Sequence, residues 1–82
     1  MGSFQYVIKD EVGMHARPAG MLVKLAKELS SAVTITKGER TVEATKLLAI
    51  MSLGVKKGEE ITVSADSEED LEKLKKFFEE NL

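Results

Sequence analysis

The chain has 82 residues, one histidine, one proline, no cysteine and a formal net charge of −2. That length suits one domain, residues 1–82, near the lower limit for folding without staples, and without thiols no disulfide can contribute. The acidic balance argues against general nucleic-acid binding, and the apolar runs fall far short of a membrane span.

The opening segment Met1–Phe4 carries neither a basic stretch nor an apolar run of signal-peptide length, and cysteine is absent. Both features fit a soluble protein of the reducing cytoplasm. Hydrophobic residues make up 43% of the chain and aromatics only 5%, which predicts an aliphatic core of Leu, Val, Ile and Met.

Residues Phe4–Lys9 alternate, with Phe4, Tyr6 and Ile8 on one side, as expected of a half-buried strand. Asp10–Met14 reads as a loop. From Ala16 the period becomes helical: Ala19, Leu22, Val23, Ala26 and Leu29 share one face, and Ser30–Ser31 ends the helix. Met21 fits either the core or an apolar rim. Val33 and Ile35 alternate with threonines in a second strand, Lys37-Gly38-Glu39 turns, and Arg40–Ala44 returns with Val42 inward.

Thr45 is the expected cap of a short helix through Leu47, Leu48, Ile50, Met51 and Leu53, stopped by Gly54. A fourth strand carries Ile61, Val63 and Ala65. Two capping boxes overlap next, Asp66 with Glu69 and Ser67 with Asp70, ahead of a final helix that buries Leu71, Leu74, Phe78 and Leu82. The order β-α-β-β-α-β-α predicts an α+β fold, a four-stranded antiparallel sheet with three helices on one face.

Charge is uneven. Nine of the fourteen acids lie from Glu59 onward, whereas Arg17, Lys24 and Lys27 face only Glu28 within residues 15–29. Such a basic stripe either steers acidic partners or is an ordinary solvated face.

The segment Gly13-Met14-His15-Ala16-Arg17-Pro18-Ala19 concentrates the unusual residues. Gly13 permits a sharp turn, and Pro18 suits the first turn of a helix. His15 is thereby placed at a helix N-terminus, near free N–H groups that attract phosphate. A plain surface or capping histidine remains the alternative. Arg17 adds a charged fork suited to phosphoryl oxygens. With no cysteine and no second histidine, a Cys/His zinc site or a Cys–His nucleophile pair is excluded. A lone histidine nucleophile acting in phosphoryl transfer fits these residues.

Gly13–Ala19, followed by Lys24 and Lys27, closely resembles the active-site signature of the HPr family, the histidine phosphocarriers of the bacterial phosphotransferase system. Met51-Ser52-Leu53-Gly54 falls where that family carries a similar stretch on its second helix, and the resemblance spans essentially the whole chain. It implies the family's open-faced β-sandwich. It also implies that His15 receives a phosphoryl group on Nδ1 from enzyme I and passes it to a sugar-specific enzyme IIA.

On that basis Arg17 would contact phosphoryl oxygens, and the N–H groups of Ala16 and Arg17 would bind them. Lys24 and Lys27 would dock partners by charge, and Leu47, Leu48 and Met51 would form an apolar docking centre. For Leu47 and Leu48 a core role is the alternative. The expected protein is a monomeric carrier with a transient phosphohistidine, not a stand-alone catalyst. Its partners would be enzyme I and enzyme IIA domains, with a transcriptional regulator as a further candidate, and it would have no cofactor, no metal, no nucleic-acid partner and no membrane insertion.

Two departures stand out. Where relatives carry a regulatory serine read by a transcriptional regulator, this chain has Lys46, preceded by Thr45; Ser52 is no obvious replacement. Val12 stands where relatives often have a small polar residue near the phosphate. Carriers of nitrogen-linked or dihydroxyacetone-linked branches, and a non-carrier regulatory module of the same fold, are the competing functions.

Overall fold

The computed structural model describes residues 2–30 and 32–82. Its elements are β1 (Gly2–Val7), α1 (Ala16–Glu28), β2 (Thr34–Lys37), β3 (Arg40–Glu43), α2 (Leu47–Ser52), β4 (Glu60–Ala65) and α3 (Glu68–Asn81). The order β-α-β-β-α-β-α follows the expectation. The four strands form one antiparallel sheet in the order β1-β4-β2-β3, so β4 is inserted between β1 and β2. Register aligns Phe4 with Val63 and Val63 with Ile35, which places apolar residues of three strands on the same face.

The strict two-residue period decides which face is buried. Ile61, Val63, Ala65 and Ile35 are buried under the helices. Across the register, Gln5, Thr62, Thr36 and Thr41 form a polar row, with the Thr36 and Thr41 hydroxyls 2.8 Å apart. Phe78 of α3 is fully buried among aromatic neighbours: Phe77 is edge-on at 5.7 Å, Phe4 edge-on at 6.2 Å, and Tyr6 tilted at 5.5 Å. The Tyr6 hydroxyl donates to the Phe78 carbonyl at 3.0 Å, so this ring keeps its polar tip satisfied.

Several boundaries differ from expectation. β1 runs two residues earlier than the predicted strand; beyond Val7, the Ile8 N–H donates to Glu59 and the Lys9 N–H to Leu82. α1 stops at Glu28, with Leu29 already extended, and Ser31 lies outside the described residues. β3 stops at Glu43, one residue short of the expected Ala44.

The cap of α2 is Lys46, not Thr45. Its carbonyl accepts the first helical bond, from the Ile50 N–H at 3.0 Å, and its side chain makes no cap bond. Burying both Ala44 and Ile50 completely sets the helical phase one residue later than capping propensity favours. Of the two boxes proposed for α3, Ser67 is the cap and accepts the Asp70 N–H at 3.4 Å. The Asp70 carboxylate is buried and accepts the Ser30 hydroxyl at 3.1 Å, which ties the start of α3 to the end of α1.

Candidate functional site

His15 is the N-cap residue of α1, in extended conformation at φ −108° and ψ −176°. Its carbonyl accepts the Ala19 N–H at 3.0 Å, and its own N–H donates to Gly13 at 3.1 Å. The next N–H groups belong to Ala16 and Arg17, in the turn where a helix has no internal acceptors, and Pro18 has none to offer. The imidazole makes no capping bond and its side chain is 41% exposed. It is therefore held by its backbone while its ring stays reachable.

Gly13 holds that backbone in place. Its φ is +81°, and a Cβ there would lie 2.5 Å from the Val55 carbonyl oxygen and 2.8 Å from the Lys56 Cα. The same Val55 carbonyl accepts the Met14 N–H at 2.9 Å. Glycine is thus required twice, for the left-handed conformation and for close approach of two backbones. The glycine itself marks the turn; the neighbour, Val55, lies far downstream in sequence and is brought there by the fold.

Asp10, in the loop between β1 and α1, adds a carboxylate to the site that the histidine motif does not mark. One carboxylate oxygen accepts the N–H groups of Val12 at 3.0 Å and Gly13 at 3.1 Å, folding the loop on itself. The same oxygen lies 4.0 Å from Nε2 of His15. From the other side, the Leu82 carbonyl accepts the N–H groups of Lys9 and Asp10 at 2.6 and 2.8 Å. An acid five residues before the histidine, in a loop with a glycine, was the available signal.

An open cleft of about 390 Å³ lies beside the ring, lined by Asp10, His15, Arg17, Pro18, Met21 and Asn81. Met21 is exposed and sits on this rim, which settles its location against the core. A second cleft of about 400 Å³, between β1 and α3, is lined by Glu68, Glu69 and Glu72 with Lys75, a poor setting for phosphate.

Arg17, Lys24 and Lys27 are all exposed on α1. Leu47, Leu48 and Met51 of the adjacent α2 are exposed as well, Leu48 at 82%. The core alternative for Leu47 and Leu48 is thereby excluded. Val12 is also exposed, so an apolar side chain stands in the loop ahead of the histidine.

Two cations steady the C-terminal end of the short α2. Lys37 Nζ donates to the carbonyls of Leu53 and Gly54, both at 3.1 Å, and to Glu59 at 3.0 Å. Arg40 donates to the Ser52 carbonyl and hydroxyl, each at 3.0 Å. Positive charge at this end satisfies orphan carbonyls and complements the helix dipole. The Lys37 hydrogen bond, then the Lys56 N–H, holds the Glu59 carboxyl below the usual carboxylate range. No helix among the described residues is long and apolar enough to cross a membrane.

Residues 3–80 match the family described as PTS HPr component phosphorylation site. The phosphocarrier protein HPr of Mycoplasma capricolum is 41% identical over 66 residues, covering 80% of this chain and 74% of that protein. A mycoplasma histidine-containing phosphocarrier structure superposes with a TM-score of 0.87 at 34% identity, covering 93% and 90% of the two chains. HPr-C-His of Thermoanaerobacter tengcongensis gives 0.81 at 34% identity over the whole of both chains. Crh of Bacillus subtilis, a catabolite-repression protein solved as a swapped dimer, gives 0.75 at 34% identity over 94% and 92%.

Proposed function

This chain belongs to the HPr family of phosphotransferase-system phosphocarriers, and we propose that His15 takes a phosphoryl group from phospho-enzyme I and delivers it to enzyme IIA domains in sugar uptake. The observation that carries this reading is His15 itself: a half-exposed imidazole at the N-cap of α1, beside Arg17 and the N–H groups of Ala16 and Arg17.

The reacting nitrogen is Nδ1. Its lone pair forms the new N–P bond as the donor's bond to phosphorus breaks. Arg17 and the two N–H groups then stabilise the phosphoryl oxygens. Because the cleft is open, stabilisation stays modest, as a carrier requires; a tightly held phosphoryl group would not leave. Lys24 and Lys27 supply docking charge, and Leu47, Leu48 and Met51 an apolar contact that Met adapts to more than one partner. The carrier works in the cytoplasm as a monomer, without cofactor.

His15 and Arg17 together favour a carrier over a non-carrier regulatory module, which has no use for an exposed histidine at a phosphate-binding turn. The decisive experiment supplies phosphoenolpyruvate and enzyme I, then measures intact mass. One acid-labile, base-stable phosphate is expected on the wild type and none on His15→Ala, whose thermal unfolding stays near wild type because the ring is half exposed. Undiminished labelling of His15→Ala would overturn the assignment.

A further inference from the structure

We propose that Asp10 is a positioning residue for this transfer: its carboxylate biases the ring proton of His15 toward Nε2 and so favours the form in which Nδ1 keeps the nucleophilic lone pair. The inference rests on the reading of His15 as phosphoryl acceptor. A neutral imidazole carries one proton on two nitrogens, and the nitrogen that bears it cannot attack. A carboxylate facing one nitrogen draws the proton there. Asp10 faces Nε2, at 4.0 Å.

The geometry is built in. The oxygen facing Nε2 is the one that accepts the Val12 and Gly13 N–H groups, so the carboxylate cannot swing away without breaking the loop. Its own backbone N–H is tied to Leu82, and Gly13 is pressed against Val55. Acid and ring are thus mounted on one short, doubly anchored loop. Besides the histidine, the charged residues lining the cleft are Asp10 and Arg17; Asn81 of α3 is neutral. The two charges divide the work. Arg17 attracts the incoming phosphoryl oxygens, and Asp10 attracts the N–H on the far nitrogen.

In the transfer, the Nδ1 pair forms the N–P bond, the donor keeps the pair of its broken bond, and the Nε2 proton stays on the ring. The ring thereby takes on a formal positive charge shared over its two nitrogens, and Asp10 faces its N–H. At 4.0 Å, with both side chains about two-fifths exposed, solvent screens the interaction. The expected bias between tautomers is therefore modest, about threefold.

Asp10→Asn tests this, because its amide oxygen still accepts the loop N–H groups while the charge is gone; Asp10→Glu restores the charge. Ring ¹⁵N shifts at a pH where the imidazole is neutral report the tautomer ratio. Labelling by enzyme I, with this protein as the varied substrate, separates kcat from KM. Asp10→Asn is expected to raise the ratio of the Nδ1–H to the Nε2–H form about threefold and to lower kcat by a smaller factor, below about threefold, with KM nearly unchanged. Asp10→Glu should move both back toward wild type. An unchanged tautomer ratio in Asp10→Asn overturns the proposal, and so does a changed ratio with unchanged kcat. Wild-type protein that takes no phosphate overturns the acceptor reading itself, a result distinct from either.

Discussion

Replacing Gly13 with alanine should damage stability and transfer together, because one methyl group violates two constraints at once. At φ +81°, an alanine costs about 1–2 kcal/mol for its left-handed backbone. Its Cβ would also lie 2.5 Å from the Val55 oxygen, and both partners are backbone, so relief means separating two chain segments. Overpacking of that kind adds about 1–3 kcal/mol. Separation also strains the 2.9 Å bond from the Met14 N–H to the same carbonyl. A total near 3 kcal/mol is a large share of the roughly 4–12 kcal/mol expected for a domain this size.

Gly38→Ala is the matched control: φ is +61°, but nothing lies within 4 Å of its Cβ, so it bears the backbone cost alone. Thermal unfolding followed by circular dichroism should show Gly13→Ala melting about 12–24 °C below wild type and Gly38→Ala, at a backbone cost of about 1.5 kcal/mol, about 6–12 °C below. Gly13→Ala should also accept phosphate more slowly, since the loop carrying His15 must shift, while Gly38→Ala keeps the wild-type rate. Equal melting of the two variants would refute the argument from close approach.

Three further outcomes are expected. Transfer from enzyme I should slow as salt rises, exposed charges being screened over about 10 Å at 0.1 M, and Lys24→Glu with Lys27→Glu should weaken docking without unfolding the protein; salt-independent transfer would reduce these lysines to a solvated face. Because the Glu59 carboxyl is depressed by Lys37 and the Lys56 N–H, its stabilisation is full above the ordinary value of 4.5 and is lost as pH falls through the lowered one. Glu59→Gln should therefore be less stable at neutral pH and lose less on acidification, which urea midpoints across the acid range measure. Finally, an ATP-dependent serine kinase of the relatives should leave the wild type unlabelled but label Lys46→Ser, since Lys46 occupies the cap of α2 and offers no hydroxyl. Wild-type labelling that vanishes in Thr45→Ala would show that the exposed threonine serves instead.

Much of this protein was legible in its sequence because the relevant physics is local. Alternation in Glu60–Ala65, the serine cap at Ser67 and the helical period after Ala16 depend on neighbours within a turn or a pleat. The same holds for His15 at a helix start, which Gly13 and Pro18 mark within three residues. Tertiary structure decided what depends on distant partners. Strand order placed β4 beside β1, and packing moved the α2 cap from Thr45 to Lys46, since burying Ile50 outweighs a capping preference of about 1 kcal/mol. Folding likewise brought Val55 against Gly13, seated Lys37 and Arg40 at the end of α2, and left Leu47 and Leu48 in solvent. Asp10 lies only five residues from His15, yet which ring nitrogen it faces depends on a loop anchored at Leu82 and Val55, contacts that no local pattern encodes.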